Sequence, residues 1–564
     1  MTRWDKFWFP AGARLSLGAA RIAVSMSVLW SLKRLYEPDF AALLAKKPVE
    51  LYDPVGILRL LGSGVPSAGL LAAIQIIAWV ATIAMLLGLA SRVSTVVSLV
   101  TALALASFQV SFAPGWHHTY PLVFLAQIPL VFAPVGDSLS ADNLIRRLRG
   151  RTPPQRGEGA YAWGIRLVQF GVALVFFNAF IHKLLQGHFS LAWALSDNLR
   201  HQLLMRFDWV GNDRTALADW LLQSPLRYKT AALMNLIAQL LPFIACFLWR
   251  RPVLRFLFGV LIVFETMGIA LVMNMWNMQW IPAAAVFVDW DRLVPWIRRR
   301  LRRRSSPPER APVGHHDPMP QLQRRRLTAW IAVYLGMWLV IGFAYPPIDQ
   351  KANLFPFSRF PMFSPIRAKK PYDAHLSYEV LGTRLEIDST PPIDERKQAW
   401  INRQYGYRWL HRITDPARLK VRLESAAGEL TRNLRLDEVR SVRLWLTVFQ
   451  APAYPAKAEF IEHRIAISGQ WDRDGEFVSY LGPVRVAERA RGTLDPAQPV
   501  PAEARFAYHA DDDPTSVPLE LERVGNQLHY RGVEGNTQVF VALVRQTDGG
   551  WLPFTLMRAP KFGW

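Results

Sequence analysis

Residues 68–112 read AGLLAAIQIIAWVATIAMLLGLASRVSTVVSLVTALALASFQVSF, and Arg92 is the only charged residue among them. Taken as helix, Ala68–Leu89 and Val93–Phe112 are each near the length that crosses a hydrocarbon core of about 30 Å. Two spans joined by Ala90-Ser91-Arg92 set the pattern for the first 346 residues. Seven further apolar stretches follow it: Leu15–Trp30, Tyr120–Phe132, Tyr161–Leu184, Ala231–Leu248, Val253–Met275, Trp276–Val288 and Trp330–Tyr345. Tyr120–Phe132 and Trp276–Val288 are short for a full crossing. Leu15–Trp30 runs on into Lys33, Arg34 and Glu37 without a small-residue cleavage site, so it reads as the first span rather than a removable signal.

Composition fits a chain of two characters. Of 564 residues 51% are hydrophobic, with 31 Phe and 22 Trp, yet mean hydropathy is only +0.10, so a greasy part is averaged with a polar one. The aromatic content excludes disorder, and a single cysteine, Cys246, excludes a disulfide scaffold or a multi-cysteine zinc cluster. Cys246 sits in an apolar helix and reads as a packing thiol. A net charge of +22 is compatible with nucleic-acid binding in principle, but the placement of the arginines argues for topology instead. Arg92, Arg146–Arg156, Arg250–Arg255 and the dense Arg292–Arg326 run all fall on one side if nine spans alternate. The positive-inside rule then puts the N-terminus in the cytoplasm and the C-terminal part outside a bacterial-type inner membrane. The partners expected are the lipid bilayer and its anionic headgroups, and no nucleic acid.

The expected fold class is therefore a membrane all-α polytopic bundle of about nine transmembrane helices, residues 1–346, with a C-terminal extracytoplasmic β-rich (α+β) domain at 367–564. Alternating runs such as Ala374–Asp388, Val442–Phe449, Phe460–Ser468 and Gln538–Arg545 read as strands. Helical patterns occupy parts of Asp394–Ile413 and Pro416–Arg432. Between the two domains, 347–366 is a Pro/Phe-rich connector, in which three prolines forbid regular helix. It reads either as a segment skimming the membrane or as a stiff linker.

Polar residues at membrane depth carry the most functional information, because each is costly unless used or satisfied. His117 and His118 open the fourth span, Asn178, His182 and Lys183 close the fifth, and Glu265 stands mid-way along the seventh. His188 and His201 follow in the loop after the fifth span. Alternation brings the His118 and Lys183 ends to one face. A half-desolvated lysine among Phe and Leu suits a general base, with Asn178 one turn below His182 to orient its ring. The same side chains equally suit snorkelling anchors at helix ends. Glu265 suits either pairing with a Lys, Arg or Asn of another span, or proton and substrate handling. No phosphate-binding loop, dinucleotide fingerprint, HExxH or nucleophile elbow is present.

Four segments together resemble the horizontally transferred transmembrane domain family, whose best-known relative is the vitamin K-dependent gamma-glutamyl carboxylase. These are Trp8-Phe9-Pro10 leading to Arg21-Ile22, Leu86-Leu87-Gly88-Leu89-Ala90-Ser91-Arg92, His118-Thr119-Tyr120 leading to Gly136-Asp137-Ser138-Leu139-Ser140-Ala141-Asp142, and Ile181-His182-Lys183-Leu184. The resemblance implies a catalytic pair, Lys183 as the base toward a vitamin K-type hydroquinone and His118 beside the reacting glutamate. It also implies oxygen and carbon dioxide as co-reactants, a peptide or protein substrate on the outer side, and no metal. His117, His182, Asn178 and Glu265 would line the substrate and cofactor pocket. The chain departs from the family where His182 replaces a first lysine, His117 replaces an asparagine and Glu265 stands where histidine is common. Two other readings stay open: a non-catalytic maturation, export or scaffold factor whose external domain binds a partner, and a metal or haem site built from His117, His118, His182 and His188.

Overall fold

A computed structural model describes residues 2–35, 52, 54–62, 64–112, 120–152, 156–157, 159–204, 206–207, 212–301 and 319–343. It also describes the backbone of strand segments between 372 and 558. Among these segments Tyr372–Gly382, Val439–Gln450 and Ile461–Asp472 pair antiparallel in that order. The connector at 347–366 and the helical patterns expected at 394–413 and 416–432 lie outside the described residues.

Helix dominates the first part of the chain. The main elements are α1 (Arg3–Trp8), α2 (Arg14–Leu35), α3 (Ala68–Leu87), α4 (Ser91–Phe112), α5 (Pro121–Phe132) and α6 (Ala141–Leu148). There follow α7 (Ala162–Gln186), the short α8 (Ala192–Leu195), α9 (Pro225–Ala245), α10 (Pro252–Gly259), α11 (Leu261–Met273) and α12 (Gln321–Phe343). Six stretches among the described residues are long and apolar enough to cross a membrane: 14–33, 68–87, 91–111, 162–186, 225–245 and 252–273. This is a multi-pass helical membrane protein by length and composition. The span 252–273 is interrupted at Val260, where α10 meets α11.

The eighth expected span departs most from the sequence reading. Instead of α-helix, Trp276–Val288 forms two 3-10 turns, Met278–Trp280 and Pro282–Phe287. The ten-residue stretch 278–287, at the 3-10 rise, covers about 20 Å and the twelve residues of α5 about 18 Å, both short of the hydrocarbon core. Each nevertheless runs back along a longer neighbour. The Tyr120 hydroxyl donates to Gln109 near the end of α4, 3.2 Å, while Gln127 donates to Ser98 and the Thr95 carbonyl nearer its start. The returning 3-10 segment reaches Arg255, whose Nε donates to the Phe287 carbonyl at 3.1 Å, and a side chain at Gly259 would overlap the Phe287 ring. The T-shaped pair Phe176–Trp280, 5.7 Å apart, seats this segment against α7.

The helix α7 is the core of the bundle, 83% buried along its span, against 28% for α3. Ile76, Val80 and Ile83 of α3 form an exposed apolar face that suits lipid. The chain passes from α3 to α4 at Gly88, where φ is +69° and a side chain would strike Arg21 and Ser140, so only glycine serves.

One end of the bundle is knotted by charge. Arg21, fully buried, donates to the carbonyls of Val135, Leu139 and Leu86. Asp142 accepts from the Ala90 and Ser91 amides and the Ser91 hydroxyl at 2.7–2.8 Å, capping α4. Asp291 accepts from the Leu15 and Ser16 amides at 2.9 Å, capping α2 from 275 residues away. Asp137 binds Arg156 and Arg146, Arg255 binds Asp289, and Arg324 binds Asp5. These contacts gather the arginine-bearing connections at one end.

Burial pushes the Asp142 carboxyl up, but the donors from Ser91 and Ala90 outweigh it and hold the group below the ordinary carboxylate value. Its stabilising effect is thus complete above the unfolded value of about 4 and is lost as pH falls through the lower folded value. Asp142→Asn should lower stability at neutral pH by roughly 1–3 kcal/mol and flatten the acid side of the stability curve. Thermal unfolding in detergent from acidic to neutral pH checks both; unchanged acid sensitivity would count against the assignment.

Candidate functional site

Toward the other end, three helices bring together the buried polar groups that hydropathy made conspicuous. Lys183, on the last turns of α7, is 1% exposed, and Glu265, on α11, is 4% exposed. They are joined through two carboxamides of α9. Lys183 Nζ donates to Asn235 Oδ1 at 2.6 Å and to Gln239 Oε1 at 3.0 Å. The other face of each amide serves the carboxylate: Asn235 Nδ2 reaches both Glu265 oxygens at 2.7 Å, and Gln239 Nε2 reaches Oε1 at 2.8 Å. Each amide is therefore polarised in one sense, oxygen to cation and nitrogen to anion. Lys183 acts only as donor and Glu265 only as acceptor, as suits an ammonium and a carboxylate. The third side of Nζ lies over the Trp193 ring, 4.2 Å from its centroid.

Local sequence explains the placement. Asn235 and Gln239 are four apart, so both project from one side of α9. The turn after α7 reverses sharply, with positive φ at His188 and Phe189, and this carries α8 and Trp193 back over Lys183. Around the network Phe177 stacks on Phe243 with centroids 4.0 Å apart, and Phe180 continues the aromatic wall. Asn235 is half-buried, while Met234 and Ile237 beside it are exposed on the outer face of α9.

Glu265 is paired with an Asn of another span, one of the two alternatives open from sequence, and through Asn235 and Gln239 it joins Lys183 in one assembly. Asn235 and Gln239 were missed, although two amides at helical spacing inside the apolar run Ala231–Leu248 were a legible signal. Nothing in the sequence marked Trp193. His182 and Asn178 are both buried, but the Asn178 Nδ2 donates to no group among the described residues, so it does not orient His182 through that atom. His188 is exposed and His201 buried in the helix Asn198–Leu204. His117 and His118 lie outside the described residues. Among those described, no three His, Cys, Asp or Glu side chains gather as a metal ion would need. Cys246 is buried, and its thiol bonds the Pro242 carbonyl.

No known protein family, no characterised protein and no solved structure matches the chain.

Lys183 and Glu265 compensate each other through the two amides rather than by direct contact, so removing either leaves a buried charge unbalanced, at up to about 3–5 kcal/mol. Lys183→Met and Glu265→Gln should each destabilise the protein by that order, and the double variant should lose clearly less than the sum. A double-mutant cycle on thermal unfolding reads the coupling, and strict additivity would show that the two charges do not share a network.

Proposed function

We propose that the chain is a membrane-embedded enzyme in which Lys183 takes a proton from the hydroxyl of a lipophilic, quinol-like substrate. The observation that carries this reading is the enclosed Lys183–Asn235/Gln239–Glu265 network. A charge pair inside an apolar bundle is expensive to maintain and is, by default, a working site. The pair is neutral overall either as ammonium with carboxylate or as amine with carboxylic acid. Lys183 can therefore take up its basic form without leaving net charge in hydrocarbon. The aromatic wall of Phe177, Phe180 and Phe243 suits a ring-bearing ligand, and the half-buried Asn235 beside lipid-facing Met234 and Ile237 suits approach from the bilayer. Trp193 occupies the remaining side of Nζ, so a substrate hydroxyl would reach the nitrogen by displacing the indole.

The resemblance to the horizontally transferred transmembrane family extends the proposal to vitamin K-type hydroquinone. In that reading the bound hydroquinone, with Lys183 accepting its hydroxyl proton, would supply on reaction with oxygen the strong base needed at a glutamyl γ-carbon of an outer-face peptide, and carbon dioxide would add to the resulting carbanion. His118 and His117 would serve that second stage at a cell-membrane outer surface. A second reading draws on a different detail: the Lys183 ammonium is saturated by two amide oxygens and an aromatic face. This favours a structural clamp in a non-catalytic maturation, export or scaffold factor.

Epoxide formation from reduced quinone separates the two readings. Protein in mild detergent is supplied with the quinol, oxygen, bicarbonate and a short Glu-rich peptide, and quinone epoxide is quantified by mass spectrometry. Loss of a general base predicts a fall of about 10²-fold or more in Lys183→Met that still folds. Trp193→Phe should retain most of the turnover. Equal epoxide in wild type and Lys183→Met would assign the network to the clamp.

A further inference from the structure

Another buried cation, Arg166 at the knotted end, has no counter-charge among the described residues. Arg166 lies on α7 five residues into the helix and is only 6% exposed. It makes no hydrogen bond or ion pair with any described residue, and its buried Nη1 has no acceptor. Its guanidinium lies against two aromatic rings instead, 4.4 Å from the Phe7 centroid and 5.1 Å from that of Trp249. Arg255, another cation of this end, is already engaged by Asp289 and the Phe287 carbonyl. Arg250 packs on the same Trp249 ring at 4.7 Å and has no carboxylate partner among the described residues either. Two guanidinium groups thus share one indole, and no carboxylate among the described residues balances them.

Arginine cannot resolve this by losing its proton, since its guanidinium stays charged in any protein setting. Cation–π contact contributes about 0.5–2 kcal/mol, while the desolvation of an unpaired ion amounts to several. The imbalance favours an anion beyond the described residues as the partner of this pair. The position narrows its chemistry: Arg166 stands about 6 Å inside the start of its helix, comparable to the depth of the headgroup region. Exposed Phe247 stacks on the same Phe7 ring that Arg166 covers, as an interfacial aromatic would. Exposed Arg250 and Arg251 lie on the same rim.

We propose that Arg166, with Arg250, forms a binding site for a phosphate group, held in the fork of the guanidinium. Phosphate matches that planar donor geometry. It can come from an anionic phospholipid headgroup or from a soluble phosphate.

The test uses the full chain in nanodiscs of phosphatidylcholine containing a minor share of phosphatidylglycerol. Phosphatidylglycerol retained per protein after lipid exchange is measured by native mass spectrometry, with and without added inorganic phosphate. Wild type should retain phosphatidylglycerol above its bulk share, and Arg166→Gln should weaken retention about tenfold, with Arg166→Lys in between. Displacement by inorganic phosphate, or phosphate binding in phosphatidylcholine alone, would assign the site to a soluble anion; insensitivity to phosphate would assign it to the lipid. Wild-type-like retention in Arg166→Gln, with no phosphate binding that depends on Arg166, would overturn the proposal. If Arg166→Gln does not fold, the exposed Arg250→Gln/Arg251→Gln variant takes its place. Reduced retention or phosphate binding in that variant supports the site, and neither being reduced overturns it.

Discussion

In a hydrocarbon solvent no water completes an unfinished hydrogen bond, so every polar group at depth must be answered by the chain or by a ligand. That constraint organises the bundle from both ends. At one end, Arg21 closes the carbonyls that the loop 135–139 and the end of α3 leave open, while Asp142 and Asp291 answer the first amides of α4 and α2. At the other, two amides of α9 distribute the charges of Lys183 and Glu265 between three helices. Apolar packing around α7 fills the space between but does not select which helices meet. The polar groups do, because a displaced partner leaves an uncompensated charge rather than a small cavity.

The same logic explains how two segments shorter than the membrane fit the fold. Both α5 and the 3-10 stretch 278–287 return against longer helices and are largely enclosed by them. Pro129 and Pro282 remove backbone donors, which would be a liability on a lipid face. Gln127 and Gln169, each buried, bind across to Ser98 and to the Val286 carbonyl and hold the returning segments in register. Irregular backbone at depth is tolerated where protein, not lipid, surrounds it.

Much of this was legible in the sequence. Apolar length located the six long helices to within a few residues at most ends, although α9 begins six residues before the expected Ala231. The cost of a charge in lipid singled out Lys183 and Glu265. Hydropathy could not reveal that they meet, because it reports how deep a residue lies and not which way it faces. That information sat in the spacing of Asn235 and Gln239, visible only once both are asked what they bind. Trp193 reaches Lys183 through a reversed turn with positive φ at His188 and Phe189, which neither residue type advertises. The 3-10 geometry of 276–288 was equally hidden, since its apolar composition suits an α-helix as well. Arg166 escaped notice for a different reason: an arginine near a helix start reads as an ordinary interfacial residue, and only its lack of an acceptor distinguishes it.

Two buried cations on one helix thus have different chemistry open to them. Lys183 can exchange a proton, and Glu265 across the amides can absorb the change while the pair stays neutral. A site so balanced is suited to handling protons. Arg166 has no such route, because its charge is permanent and its surroundings are aromatic or cationic. Among the described residues it finds no negative partner, which is the ground for proposing a bound anion there. The proposed proton chemistry and the proposed anion thus stand near opposite ends of α7, since Arg166 lies in its second turn and Lys183 in its last.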